Sequence, residues 1–307
     1  MDSWHAALLP PQWPDLLLPH WFHEDLPALD LNAALVAAPP GTPAPTPITA
    51  HILLKSPRCC LAGAPFVHEI CRYAGCTVAW HVAEGAWAET PPDTPRPVAT
   101  LTGPPRAILQ AERIALNVLA RASAIATCTR SVLDALVGYP GRIAATRKTT
   151  PGFRLVEKYA VLVGGGDTHR FDASSSGLLM LKDTHLAVLR GCFQLDLPAA
   201  VVRARQLASI TSKIEVECGS LEEAVQAARA GADLVMLDNT PPALALPWVR
   251  HLRALFPALL IELSGGITPA NIHAFLPAQP DIISMGALIH APPPIDFALR
   301  IINNPAP

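Results

Sequence analysis

Charge is scarce in this chain. Only 16% of its 307 residues are Asp, Glu, Lys or Arg, and 23 basic against 25 acidic residues leave a formal net charge of −2. That balance argues against a protein whose main task is gripping nucleic acid through a broad basic field, so any cationic site has to be local. Aromatic residues are also few, at 6%. There is no CxxC pair and no Cys/His metal-ligand spacing. The cysteines number seven, an odd count that includes the adjacent Cys59 and Cys60. They fit reduced thiols in an intracellular protein better than a disulfide framework. No stretch approaches the roughly 18 uncharged apolar residues of a membrane span. The N-terminal segment lacks the basic start and long apolar run of a signal peptide. A cytoplasmic protein is the expectation.

What the chain does have is apolar material and proline. Half its residues are hydrophobic, enough for a substantial core in one large or two moderate domains. Much of the proline, 33 residues in all, lies in residues 38–48 and 88–97. These stretches read as surface loops, since proline removes a donor and fixes φ. A Pro-rich docking peptide is the alternative reading.

From residue 159 onward the chain alternates strand and helix. The segments 159–166, 177–183, 213–218, 233–239, 259–266 and 281–286 read as strands. Residues 220–232 carry helical spacing behind a Ser-x-x-Glu cap, and residues 268–276 start like a capped helix with Pro269 at its first position. Such alternation predicts parallel strands with crossover helices. Lys182, Glu217, Asp238, Ser264 and Gly286 fall at the C-terminal ends of apolar strands. A doubly wound sheet would also gather ligands there. Polar groups from at least five strands favour a β/α barrel instead. The first third mixes strands and a helix and reads as an α/β sandwich, joined to the rest by a long helical stretch, residues 107–136.

The charge that exists is concentrated. Residues 145–172 hold Arg147, Lys148, Arg154, Lys158, His169 and Arg170 around a Gly-Gly-Gly triplet. Arginine forks pair bidentately with carboxylate or phosphate, and glycine lets backbone approach a ligand. Arg147, Lys148, His169, Arg170 and Lys182 are candidates to converge on one small anion with more than one carboxylate. The alternative is solvated charge paired with Glu157 and Asp172, and that reading is adopted for Arg154 and Lys158. Glu217 and Asp238 suit Mg²⁺ and sugar hydroxyls, although helix capping is open for Asp238. Glu215 is read as facing away from that pair. The turn Ser264-Gly265-Gly266 and the glycine turn at Gly286 offer backbone N–H groups to a phosphate. Anion, cation, sugar and phosphate together are the equipment for transferring a phosphorylated ribose.

These residues resemble the quinolinate phosphoribosyltransferase family. The resemblance runs through residues 112–121, 145–172, 179–185, 214–224, 230–239, 264–268 and 281–290 in the family's order, and residues 21–36 look like its eukaryotic N-terminal segment. It implies an α/β fold of an N-terminal α/β sandwich (residues 1–113), an incomplete barrel of about seven strands (114–289) and a tail (290–307) returning to the first domain. It implies transfer from phosphoribosyl pyrophosphate to quinolinate, giving nicotinate mononucleotide, pyrophosphate and CO₂ in NAD biosynthesis. Arg113, Arg147, His169, Arg170 and Lys182 would bind the two quinolinate carboxylates, with Arg113 supplied by a neighbouring subunit of a homodimer, the minimal active unit of a possible hexamer. Lys148 would contact phosphoribosyl pyrophosphate. Glu217 and Asp238 would hold ribose hydroxyls and Mg²⁺. Ser264, Gly265, Gly266 and Gly286 would cradle the 5′-phosphate beside His290, with Lys213 a lesser candidate. Lys148, Lys182, Glu217 and Asp238 are the expected catalytic set.

Three features depart from the family pattern: Thr184 replaces an asparagine and touches an outer hydrogen bond, the loop 171–177 is extended, and the first domain carries the proline-rich insertions. The rival readings are a molybdenum-transport homologue of the same fold, a non-catalytic interaction protein on this scaffold, and an aldolase using Lys182 as a Schiff base. Lys182 argues against the first, and intact Glu217 and Asp238 with the cation set against the second. Nothing near Lys182 offers sugar-aldehyde chemistry for the third.

Overall fold

The structure is a computed structural model, and it describes residues 4–92, 94–171 and 177–302. The loop reading at 172–176 lies outside them. The chain forms two compact units. One comprises residues 1–131, 150–165 and 292–307, and the other residues 132–149 and 166–291. The boundary expected at 113/114 falls inside a single continuous helix, which stays with the first unit through Ser131.

In chain order the elements begin with α1 (Trp13–Asp25), α2 (Leu31–Leu35), β1 (Ile48–Leu54), β2 (Arg58–Cys60), α3 (Ala64–Ala74), β3 (Thr77–Trp80), β4 (Trp87–Glu89), β5 (Arg96–Gly103) and α4 (Pro105–Ala135). They continue with β6 (Arg142–Ala144), α5 (Arg154–Val163), β7 (Leu178–Leu181), α6 (Asp183–Phe193), α7 (Leu197–Leu207), β8 (Lys213–Cys218), α8 (Leu221–Arg229), β9 (Leu234–Asp238), α9 (Pro242–Leu255), β10 (Leu260–Ser264), β11 (Ile282–Ser284), α10 (Ala287–His290) and β12 (Phe297–Ile302).

The first unit is built on an antiparallel sheet, ordered β12-β1-β5-β3, with a two-stranded β2-β4 ribbon. In β1, Ala50, Ile52 and Leu54 are fully buried and alternate with part-exposed neighbours, the period-two signature of a sheet packed on one face. The C-terminal β12 pairs with β1, Leu54 opposite Phe297.

In this unit the glycine triplet finds its cause. Residues 159–166 were expected to form a strand, but 154–163 are helix α5. Its apolar run is continuous, and a buried helix and a buried strand look alike in such a run. Gly164 and Gly165 end that helix, their N–H groups donating to Ala160 O and Leu162 O. Gly165 sits at φ +91, left-handed backbone that suits glycine at a helix end. A side chain at Gly164 would place its Cβ 2.6 Å from Thr129 Cβ. The first two glycines therefore serve a helix terminus and close packing. Lys158 on α5, read as surface charge, is completely buried, and Glu157 accepts from Arg121 and Thr150.

The second unit is a parallel sheet ordered β6-β11-β10-β9-β8-β7. Strands β8 to β10 are buried almost end to end, as both faces of a parallel sheet require. A seventh position, where about seven strands were expected, is reduced to a single parallel bridge between Ala144 and Asp167. The Ser220 hydroxyl caps α8 by accepting from Glu223 N. The helix expected over residues 268–276 is instead two short 3₁₀ turns, Ile272–Ala274 and Leu276–Ala278. Pro277 lacks the N–H a longer helix needs and restricts Leu276 before it. No single helix among the described residues is long and apolar enough to cross a membrane.

Candidate active site

All the parallel strands deliver polar residues to one edge of the second unit. A cavity of about 480 Å³ opens there, a size suited to small-molecule ligands. Arg147 and Lys148 follow β6, and His169 and Arg170 follow the bridge at Asp167 beside it. The two cation pairs are twenty residues apart in sequence because α5, which separates them, belongs to the other unit. Lys182 directly follows β7 at the N-cap of α6, Glu217 lies near the end of β8, and Asp238, Ser264 and Ser284 close β9, β10 and β11. Gly265, Gly266, Gly286 and His290 complete the lining among the expected residues.

The charges are paired unevenly. Lys182 Nζ donates to Glu217 Oε2 at 2.6 Å. Asp238 accepts from Asn239 Nδ2. Burial and the neighbouring Glu217 charge push the Asp238 carboxyl above its usual range, against the pull of Lys182 and Lys148. Burial also lowers Arg170, and Arg147 nearby adds to this, while Glu215, Glu217 and Glu262 oppose it. Four lysines and arginines thus share the cavity with three carboxylates, Glu217, Asp238 and Glu262, and with His169. The Glu217–Asp238 repulsion is the kind a divalent cation relieves, so this donor set fits Mg²⁺.

On the other side the turn after β10 is shaped by Asn239. Gly265 has φ +88, and a Cβ there would lie 2.5 Å from the Asn239 backbone nitrogen. Gly286 starts the short α10 with His290 close by, since a Cβ there would come within 2.7 Å of His290 Nε2. Backbone N–H groups in such turns are suited to phosphate oxygens.

Several expectations need correction. Glu215 does not face away from Glu217. Residues two apart on a strand share a face, and Glu215 is fully buried 3.7 Å from His169 Nε2. Glu262 was overlooked, and it accepts from the same ring nitrogen at 2.8 Å. The available signal was an acidic residue inside each apolar strand, two positions before Glu217 and before Ser264. Lys213 starts β8, so it stands at the strand end opposite the cavity, and it is exposed. Arg113, expected to serve a neighbouring subunit's site and so not corrected by a single chain, is on α4 in the first unit, 58% exposed, with Glu112 3.6 Å away; it does not line its own chain's cavity. Thr184 is exposed, while His185 Nδ1 faces the Lys182 N–H at 3.0 Å.

A parallel α/β sheet whose strand ends bring together a cation cluster, an acid pair and two glycine turns defines an anion-handling catalytic domain of the phosphoribosyltransferase kind. The chain belongs to the quinolinate phosphoribosyl transferase family. The model of that family's N-terminal domain matches residues 32–123 and that of its C-terminal domain residues 125–300. The chain is 44% identical to the human nicotinate-nucleotide pyrophosphorylase [carboxylating], covering 96% of this chain and 94% of that one. The protein of the same name from Dictyostelium discoideum is 38% identical over 96% of this chain and 98% of its own length. Among solved structures, the nicotinate-nucleotide pyrophosphorylase of Francisella tularensis superposes with a TM-score of 0.82 at 29% identity, covering 98% of this chain and 100% of that one. NadC from Streptococcus pyogenes gives 0.81 at 30% identity, over 96% of this chain and 99% of that one.

Proposed function

We infer that this chain is a quinolinate phosphoribosyltransferase, the carboxylating nicotinate-nucleotide pyrophosphorylase of NAD biosynthesis. Its substrates are quinolinate and phosphoribosyl pyrophosphate, and its products nicotinate mononucleotide, pyrophosphate and CO₂. One observation carries the reading at the level of the site: Arg147, Lys148, His169, Arg170 and Lys182 line the same cavity as Glu217, Asp238 and two glycine turns. The family models and curated relatives support it independently.

In this reading Arg147, His169, Arg170 and Lys182 bind the two carboxylates of the pyridine diacid and aim its ring nitrogen at the anomeric carbon. Ser264, Gly265, Gly266 and Gly286 hold the 5′-phosphate, with His290 at the rim. Glu217 and Asp238 hold the ribose hydroxyls and would hold Mg²⁺, which when bound neutralises the departing pyrophosphate. As the nitrogen bonds to carbon, the carbon–pyrophosphate bond breaks and positive charge develops on the sugar; the acid pair offsets it. Lys148 takes the developing negative charge on the leaving side. The ribosylated ring nitrogen is cationic. It therefore stabilises the electron pair left on C2 when that carboxylate departs as CO₂, and a proton then fills the position. Positioning and exclusion of water supply most of the acceleration.

Two further parts belong to the same proposal. The active unit is a homodimer in which Arg113 reaches a neighbouring subunit's site. Its support is the exposed Arg113 guanidinium and helix α6, which has no buried residue and exposes Val188 and Phe193. The protein works in the cytoplasm, supported by its seven cysteines, which form no disulfide among the described residues. The direct test mixes purified protein with quinolinate, phosphoribosyl pyrophosphate and Mg²⁺ and measures nicotinate mononucleotide. Its absence under saturating substrates would refute the activity.

A further inference from the structure

Beneath the cation cluster His169 meets two acidic side chains for which the reaction as read above gives no reason. His169 lines the cavity, yet its Nε2 turns inward, 2.8 Å from Glu262 Oε2 on β10 and 3.7 Å from Glu215 Oε1 on β8. Both glutamates are fully buried. Among the described residues no group other than the ring hydrogen-bonds either Glu215 oxygen or Glu262 Oε1, so the ring is the donor that serves the pair. Two buried carboxylates without a cation between them would be costly. The backbone is bent to supply one: His169 has φ 59, left-handed for a residue with a side chain, and its N–H donates to Asp167 Oδ1 at 2.7 Å.

We propose that Glu215 and Glu262 are positioning residues that hold His169 as a fixed imidazolium, so that the floor of the cavity presents a permanent cation to an anionic ligand at any pH near neutrality. The groups around the ring are accounted for. Glu215 and Glu262 face it from β8 and β10, Asp167 holds its backbone, and Arg170 follows it with Arg147 nearby. The cavity lining from β7, β9 and β11 near this floor is Met180, Met236 and Ser284, none charged. Burial alone lowers the imidazole, but bonding and charge from the two glutamates outweigh it and raise it to about 10. A freely titrating histidine would lose its charge near pH 6.5, in the middle of the physiological range. The same clamp fixes the ring's plane, leaving its Nδ1 edge as the part not committed to the glutamates. It also sets the start of the segment that carries Arg170.

The affinity arm of the test rests on the quinolinate reading, whereas the titration arm does not. In full-length protein labelled at histidine, with His169→Asn used to assign the resonance, His169 should remain protonated through pH 8.5. In Glu262→Gln, which keeps the shape and an acceptor but removes the charge, its midpoint should fall by roughly two to three pH units, to about 7.5. Quinolinate affinity of the wild type, measured without Mg²⁺, should vary less than about twofold between pH 6.5 and 8.5 on account of this group, whereas in Glu262→Gln it should drop by roughly tenfold over that range. A wild-type His169 titrating near pH 6.5 overturns the proposal, and it does so even if the variant does not fold. Equal loss of affinity at both pH values in Glu262→Gln overturns it too, since a merely structural role behaves that way. So does stoichiometric Zn²⁺ uptake that the variant abolishes, because the three ligand atoms lie within 4.8 Å of one another. Absence of any quinolinate binding by the wild type, with the titration as expected, refutes the substrate reading and leaves the clamp standing.

Discussion

Lys182 Nζ and Glu217 Oε2 stand 2.6 Å apart at the ends of β7 and β8, two adjacent parallel strands. The contact is part-buried, Lys182 being 40% and Glu217 12% exposed. It places a cation between the two halves of the site, where it balances an acid that already repels Asp238. On the proposed reading, a ligand carboxylate approaching Lys182 would compete with Glu217, and Lys182 would be freed for that ligand if Glu217 and Asp238 held Mg²⁺; one ion pair would then link the two substrates' sites.

Removing that cation should therefore be felt on both sides. Lys182→Ala is expected to weaken quinolinate binding roughly ten- to hundredfold, the range for a lost hydrogen bond between charged groups. Arg147→Ala and Arg170→Ala should fall in the same range. Calorimetric titration with quinolinate measures all three, and unchanged affinity in every one would remove their assignment as carboxylate ligands.

Asp238 predicts a different pattern. Asp238→Ala should lower kcat by roughly a hundredfold or more, as loss of a group stabilising transition-state charge does, while quinolinate affinity changes little. It should also raise the Mg²⁺ concentration needed for half-maximal rate. Steady-state kinetics with Mg²⁺ varied would show this, and a loss confined to quinolinate affinity would contradict the metal and ribose role.

The buried triad makes stability depend on pH. The His169 imidazole is raised from 6.5 to about 10 in the folded protein. A raised base contributes stability that is complete below pH 6.5 and disappears as pH climbs through 10. Glu215, pushed up to about 7 by burial, adds the same sign, since ionising it costs stability as pH rises past its ordinary range. Urea unfolding at pH 6 and at pH 9.5 should show wild type losing its advantage over Glu262→Gln at the higher pH. An advantage constant across that range would count against a charged pair.

Two neighbouring glycines should respond differently to the same change. Gly265 and Gly266 both have positive φ, +88 and +64, but only Gly265 has backbone in the way of a Cβ. Gly266→Ala is expected to cost about 1 kcal/mol for the left-handed residue. Gly265→Ala should cost about 2–3 kcal/mol and raise KM for phosphoribosyl pyrophosphate, since the Asn239 backbone has to move. Thermal unfolding and kinetics of the pair would check this, and equal effects would mean the turn has room.

Much of the architecture was legible because it follows local rules. The period-two burial of β1, the capped α8 and the near-continuous apolar strands β8 to β10 each carry their own signal. So do the residues at the strand ends. Once strands are parallel, their C-terminal ends share an edge, and Lys182, Glu217, Asp238 and Ser264 follow from position alone. The failures were of another kind. The apolar run at 159–163 has no period, so local preference could not separate helix from strand, and α5 was decided by its packing, with Gly164 and Gly165 as its terminus. Lys158 looked like surface charge because burial is not encoded in residue type.

What the sequence determined by itself was the alternation of elements from β7 to β10, the cation cluster and the chemistry at the strand ends, since these depend on residue type and on spacing within one element. What only the tertiary structure decided was which distant groups meet. It set Arg147 beside Arg170 across an intervening helix that belongs to the other unit, and it brought His169 between Glu215 and Glu262. Charge–charge energy depends on separation in space and on the water left between groups, and neither quantity exists until the chain has folded.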